Sequence, residues 1–129
     1  MSSAMTTRIF LGATALMFFA FGVWSMTDPA GMTTQLGVEV GGPAGIFEMR
    51  GIYGGVSFGA AVMCLLGALR PGLSFAALCF VATYMGGYIV GRAASFIAGD
   101  SAQASSWAFA GFELVMALIA FALLATRKT

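Results

Sequence analysis

Apolar residues run through the chain in four long blocks, at about 9–26, 46–69, 73–97 and 104–126. Each block is near the roughly 20 residues that a helix needs to cross a ~30 Å hydrocarbon layer. The breaks between them carry turn chemistry. Thr27-Asp28-Pro29 reads as a helix stop and a new start, with Asp28 as N-cap and Pro29 at the first helical position. The stretch from Pro29 to Leu36 then predicts a short helix lying at the membrane surface. Gly41-Gly42-Pro43 leads into the second block, Arg70-Pro71-Gly72 makes a tight hairpin between the second and third, and Gly99-Asp100-Ser101 ends the third. The pattern predicts an all-α membrane bundle of four helices in a single domain, 1–129.

Composition agrees with this. Apolar residues make up 60% of the 129 and charged residues 9%, where an ordinary soluble domain carries roughly 25% charge. So small a soluble domain could not hide that much apolar surface. The first block resembles a signal peptide, with Arg8 before an apolar run. It is long for an h-region and lacks a clear small-residue cleavage site, so a retained helix is expected.

The few charges set the orientation. Arg8, Arg70, Arg127 and Lys128 flank the spans on one side, while Asp28, Glu39 and Asp100 lie in the opposite loops. The positive-inside rule then predicts both termini in the cytoplasm. Trp24 and Trp107 fall at the outer ends of their spans, where indole rings favour the interface.

Several functions are disfavoured. A net charge of +1 leaves no basic patch for nucleic acid. Histidine is absent, which removes the commonest metal ligand and general base. No metal motif, nucleotide loop or nucleophile–base pair is present, so neither an enzyme nor a bound cofactor is expected. Cys64 and Cys79 stand in apolar runs and read as small buried hydrophobes.

Glycines repeat every fourth position at Gly51, Gly55 and Gly59, and again at Gly87 and Gly91. Such rows let backbones approach closely. They suit packing inside the bundle, or contact with a second copy or a larger complex.

Glu48, Arg50, Arg92 and Glu113 lie in or at the edge of the spans, all toward the outer side. A lone charge at the centre of a spanning helix costs about 2.5–3.5 kcal/mol, so such groups pair or line a wet cavity. The expected pairs are Arg92 with Glu113, and Arg50 with Glu48 or Glu113; the alternative for Glu48 is to stabilise the start of the second span, where the helix dipole favours an anion. Tyr84, Tyr88, Arg92 and Ser95 share one helix face, and Tyr53 and Ser57 follow Arg50 at helical spacing. Two uses stay open for this cluster. It is a self-satisfied ion-pair network that fixes helix register, or a site for a headgroup, a quinone-like ring, a small anion or waters.

The run Glu48-x-Arg50-x-x-Tyr53-Gly54-Gly55, with Gly91-Arg92, Glu113 and the Pro29…Leu36-Gly37 segment, resembles a family of small bacterial four-helix membrane proteins known only as a domain of unknown function. A looser likeness in architecture links it to DoxX-type membrane proteins. The resemblance implies the fold and a bacterial inner-membrane location and brings no activity. The expected function is a non-enzymatic accessory subunit or a membrane protein that binds lipid or a small ligand. The alternative is a small oligomeric transporter with Glu113 as the coupling carboxylate.

Overall fold

The computed structural model describes residues 2–127 and is all-helical, with four helices long and apolar enough to cross a membrane. Lys128, counted above in the basic flank, lies outside the described residues.

Helix α1 spans Ser3–Thr27 and is capped by the Ser2 hydroxyl, which accepts the Met5 N–H at 3.2 Å. It stops because Pro29 forces the preceding residue off the helical backbone. Asp28 sits at φ −138°, ψ 69°, and its carboxylate accepts the Gly31 N–H at 3.0 Å, capping α2 (Pro29–Gln35). Gly37 closes α2 with a left-handed φ of 72°. Its N–H goes to the Thr34 carbonyl, and that of Val38 to Thr33, the paired closure that a C-terminal glycine permits. Gly99, at φ 90°, ends α4 with the same bond pattern.

Helix α3 runs unbroken over Gly42–Leu69, starting four residues before the apolar block expected at 46. Within it, Arg50–Gly55 is a π-helical segment. A 3₁₀ turn at Pro71–Leu73 leads to α4 (Ser74–Ala98), and α5 covers Ala104–Ala125.

Helix α1 packs along α3, α5 packs along α4, and the α3–α4 hairpin joins the two pairs. At the end that carries Arg8, Arg70 and Arg127 the joint is tight. A Cβ at Gly67 would fall on the Ala77 methyl, the Ser74 hydroxyl donates to the Gly67 carbonyl at 2.7 Å, and Arg8 Nε donates to the Ala68 carbonyl at 3.0 Å. The core holds Leu11, Ala15, Cys64, Leu78, Val81 and Ala120. Small residues dominate because helices in lipid associate through close packing rather than hydrophobic drive.

The opposite end is open. All the buried residues of α4 lie between Ser74 and Met85, and none follows. Helices α1 and α5 barely touch. This end carries Asp28, Glu39 and Asp100, and is called the acidic end below.

The glycine rows do not serve the packing expected of them within the bundle. At Gly51, Gly59, Gly87 and Gly91 an added Cβ would meet nothing within 4 Å, and at Gly55 only the Arg50 carbonyl at 3.9 Å. The close approaches fall instead at Gly22 against Phe58, Gly54 against Met26, and Gly67 against Ala77. Spacing reveals a row of small residues but not the direction it faces. Cys64 is buried, Cys79 is partly so, and both are free thiols.

Candidate functional site

The splayed acidic end leaves a half-open cavity of about 1370 Å³ lined by α1, α3, α4 and α5. That exceeds the roughly 300–1,000 Å³ usual for small-ligand pockets. Most of its wall is apolar, with Phe18 and Phe21 from α1, Met85 from α4, and Phe109 and Phe112 from α5.

One ion pair lies on its wall. Arg92 Nε donates to Glu113 Oε2 at 2.7 Å and Arg92 Nη2 to Oε1 at 2.8 Å. This two-bond fork is the strongest common geometry for the pair. The helices run antiparallel, and side chains lean toward the N-terminus of their own helix. Arg92 on α4 therefore leans inward from the acidic end and Glu113 on α5 leans toward it, so the two meet. Glu113 is 7% exposed, while a third of the Arg92 side chain stays open. Among the described residues this is the one salt bridge.

The expected partnership of Arg50 with Glu48 or Glu113 does not form. Arg50 is exposed and its Nε donates to the Met26 carbonyl at 3.1 Å, one of the unpaired carbonyls at the end of α1. Glu48 is exposed. Neither lines the cavity. Depth gives the reason. Counting back from Leu69 at about 1.5 Å per residue, a ~30 Å layer ends about twenty residues earlier, close to residue 49. Glu48 and Arg50 stand at that boundary, where neither needs a countercharge. Glu113, about 18 Å from the far end of α5 by the same rise, does.

The tyrosines do reach the cavity. Tyr84 and Tyr88 line it, with their hydroxyls 3.2 Å apart. Phe80 stacks on Tyr84 at 5.2 Å between ring centres, and Phe18 meets it edge-on at 5.8 Å. These contacts fix its ring. Tyr53 enters from the π segment, where the wider i→i+5 bonding changes which side chains face inward. The Val56 N–H bonds the Gly51 carbonyl, Ser57 donates to the Tyr53 carbonyl, and buried Gly54 lets α1 approach at Met26. Ser57 and Ser95 also line the space.

Two residues that sequence reasoning passed over tie elements together at the acidic end. Gln103 Nε2 donates to the Gln35 carbonyl at 2.8 Å, and the Ser105 hydroxyl donates to the same carbonyl at 2.7 Å. The last carbonyls of a helix lack internal partners. Here they are satisfied from the α4–α5 connection, which straps α2 across the mouth. The only cue in sequence was a polar Gln-x-Ser beside a helix start, and it does not specify a partner nearly 70 positions away. Trp24 and Trp107 flank the opening, with Phe96 packed edge-on to Trp107 at 6.1 Å.

Among known proteins, the chain matches the domain of unknown function DUF4345 over residues 6–124. No curated protein matches it. No solved structure matches it either.

Proposed function

We propose, for a chain that belongs to the DUF4345 family and takes no activity from that membership, that it is a non-enzymatic membrane protein which binds a lipid-like small ligand. The cavity carries the reading. It is large and mostly apolar, its polar groups run from Tyr84 past Arg92 and Glu113 to Asp100 at the mouth, and it is flanked by two helices, α1 and α5, that hardly meet. A tail can pass sideways between them into the bilayer while the strap of α2 covers the end.

The Arg92–Glu113 pair supports binding beyond its structural role. Arg92 opens onto a space large enough for a guest. The proposed setting is the bacterial inner membrane with both termini cytoplasmic, which puts the cavity in the outer half. The side with Arg8, Arg70 and Arg127 supports that orientation. In this setting the chain acts alone or as an accessory subunit that holds the ligand for a larger complex.

A cavity-filling variant tests this. Gly91 lines the cavity, and an added Cβ there meets nothing, so a Gly91→Phe side chain can leave the helix and take up cavity space. Gly59→Phe, on an open face outside the cavity, is the control. Native mass spectrometry of the full chain from mild detergent should show one retained molecule per chain for the parent and the control, and none for Gly91→Phe. Equal loading of all three would end the proposal.

Proton- or ion-coupled transport through Glu113 is the second reading. It is favoured by the carboxylate's depth, its access from the cavity and the helical irregularity at Arg50–Gly55. It predicts solute-linked proton movement in liposomes that Glu113→Gln abolishes.

A further inference from the structure

Around Arg92 the cavity wall presents spare donors, while Asp100, a carboxylate unpaired among the described residues, stands near the mouth. Arginine has five N–H groups. Two of those on Arg92 are engaged by Glu113, on Nε and Nη2, which leaves three without a protein partner among the described residues. Each Glu113 oxygen already accepts one bond from Arg92. Of the two hydroxyls at Tyr84 and Tyr88, one donates to the other, so one proton is left over. The Tyr53 hydroxyl has no protein partner among the described residues. Among the described residues no buried side-chain nitrogen or oxygen lacks a partner. The spare Arg92 and Tyr53 donors therefore reach open space, and the space these residues line is the cavity.

Charge narrows the class further. Glu113 cancels Arg92, and the one other ionised residue on the wall is Asp100, an acid near the mouth. An anionic head would find no uncompensated cation and one repulsive carboxylate. A cationic head would have to sit at the mouth beside Asp100, away from the spare donors of Arg92 and Tyr53. In lipid, a hydrocarbon tail gains almost nothing by moving from one apolar medium to another, so discrimination falls to the hydrogen bonds of the head.

The geometry points to a charge-neutral amphiphile whose carbonyl oxygens accept from Arg92 and Tyr53 while its tail leaves between α1 and α5. This rests on the cavity being a ligand site, as proposed above. Two lipid sources share that chemistry, a quinone ring and the ester carbonyls of a diacylglycerol. The aromatic lining, including Phe18, Phe21, Phe109 and Trp107, accepts either.

The chain reports its own occupancy, since its two tryptophans, Trp24 and Trp107, both line the cavity. The full chain in nanodiscs would be titrated with decyl-benzoquinone, dioleoylglycerol and dioleoylphosphatidylglycerol while tryptophan emission is followed. Saturable binding of either neutral probe is expected, with the anionic lipid at least tenfold weaker. Binding of one neutral probe alone identifies the source. Tyr53→Phe, which removes one hydroxyl and no volume, should weaken the neutral probe roughly 3- to 10-fold, the worth of one hydrogen bond. The double variant Arg92→Leu/Glu113→Leu, which strands no charge, should weaken it further. Preferred binding of the anionic lipid, still blocked by Gly91→Phe, would overturn the ligand class and leave the cavity site standing. Failure of every probe would overturn the class too, and the mass-spectrometric loading of Gly91→Phe then decides whether the site itself survives.

Discussion

Removing the guanidinium of Arg92 should do more damage than removing the whole ion pair. Glu113 is 7% exposed and gives both oxygens to Arg92. Arg92→Leu leaves that carboxylate in a low-dielectric wall with no donor in place. Breaking a buried pair costs roughly 3–5 kcal/mol. The lower end applies here, because a third of the Arg92 side chain is open and the cavity can admit water to the orphaned acid. About 3 kcal/mol is a loss of more than a hundredfold in the folding equilibrium. Arg92→Leu/Glu113→Leu removes both charges and keeps apolar volume, and such replacements are often neutral or stabilising by about 1–4 kcal/mol. Arg8→Leu provides the scale at the other end of the bundle, where one hydrogen bond to the Ala68 carbonyl is lost, about 1 kcal/mol. Reversible unfolding in mixed micelles, followed by tryptophan emission, orders the three variants. The expected order of stability is the double variant, then Arg8→Leu, then Arg92→Leu. A double variant as unstable as Arg92→Leu, or an Arg92→Leu protein as stable as Arg8→Leu, would refute the claim that Glu113 depends on this partner.

Three more outcomes follow from the packing. Gly67→Leu should destabilise the chain by at least about 1–3 kcal/mol, since its Cβ would strike Ala77 at the tight end, whereas Gly59→Leu should unfold like the parent; a native gel in which only Gly59→Leu loses a higher oligomer would show that this open face is covered by another chain. Gln103→Ala should speed hydrogen exchange across α2 by freeing the strap at Gln35, with less than about 1 kcal/mol of global loss; unchanged exchange over residues 29–38 would show that the strap holds nothing. In a background of Cys64→Ala and Cys79→Ala, Ser101→Cys should react with an impermeant thiol reagent added outside the cell, and labelling only after lysis would reverse the proposed orientation.

Hydrocarbon length and turn chemistry were legible without coordinates. Runs of about twenty apolar residues have one stable form in lipid, because only a helix satisfies its own backbone there. Asp28-Pro29, Pro71 and Gly99 mark helix ends by constraints local to each residue. The pairing of Arg92 with Glu113 was also expected, since two opposite charges buried at similar depth have few other partners. What the pattern misjudged was the pairing of Arg50, and it left open which way the glycine rows face. A sequence gives spacing along a helix but not its rotation about its axis or its height in the layer. Arg50 met a backbone carbonyl at the boundary, and Gly51, Gly55 and Gly59 turned outward.

By itself, then, the order of residues determined four spanning helices, their ends, and which charges would need company. Tertiary structure alone decided that the bundle closes at Gly67 and opens beyond Met85, that a π segment brings Tyr53 into the opening, and that Gln103 and Ser105 strap α2 across it. The physical reason is range. Backbone solvation and turn preferences act within a few residues, whereas a cavity is the place where helices far apart in sequence fail to fill the space between them.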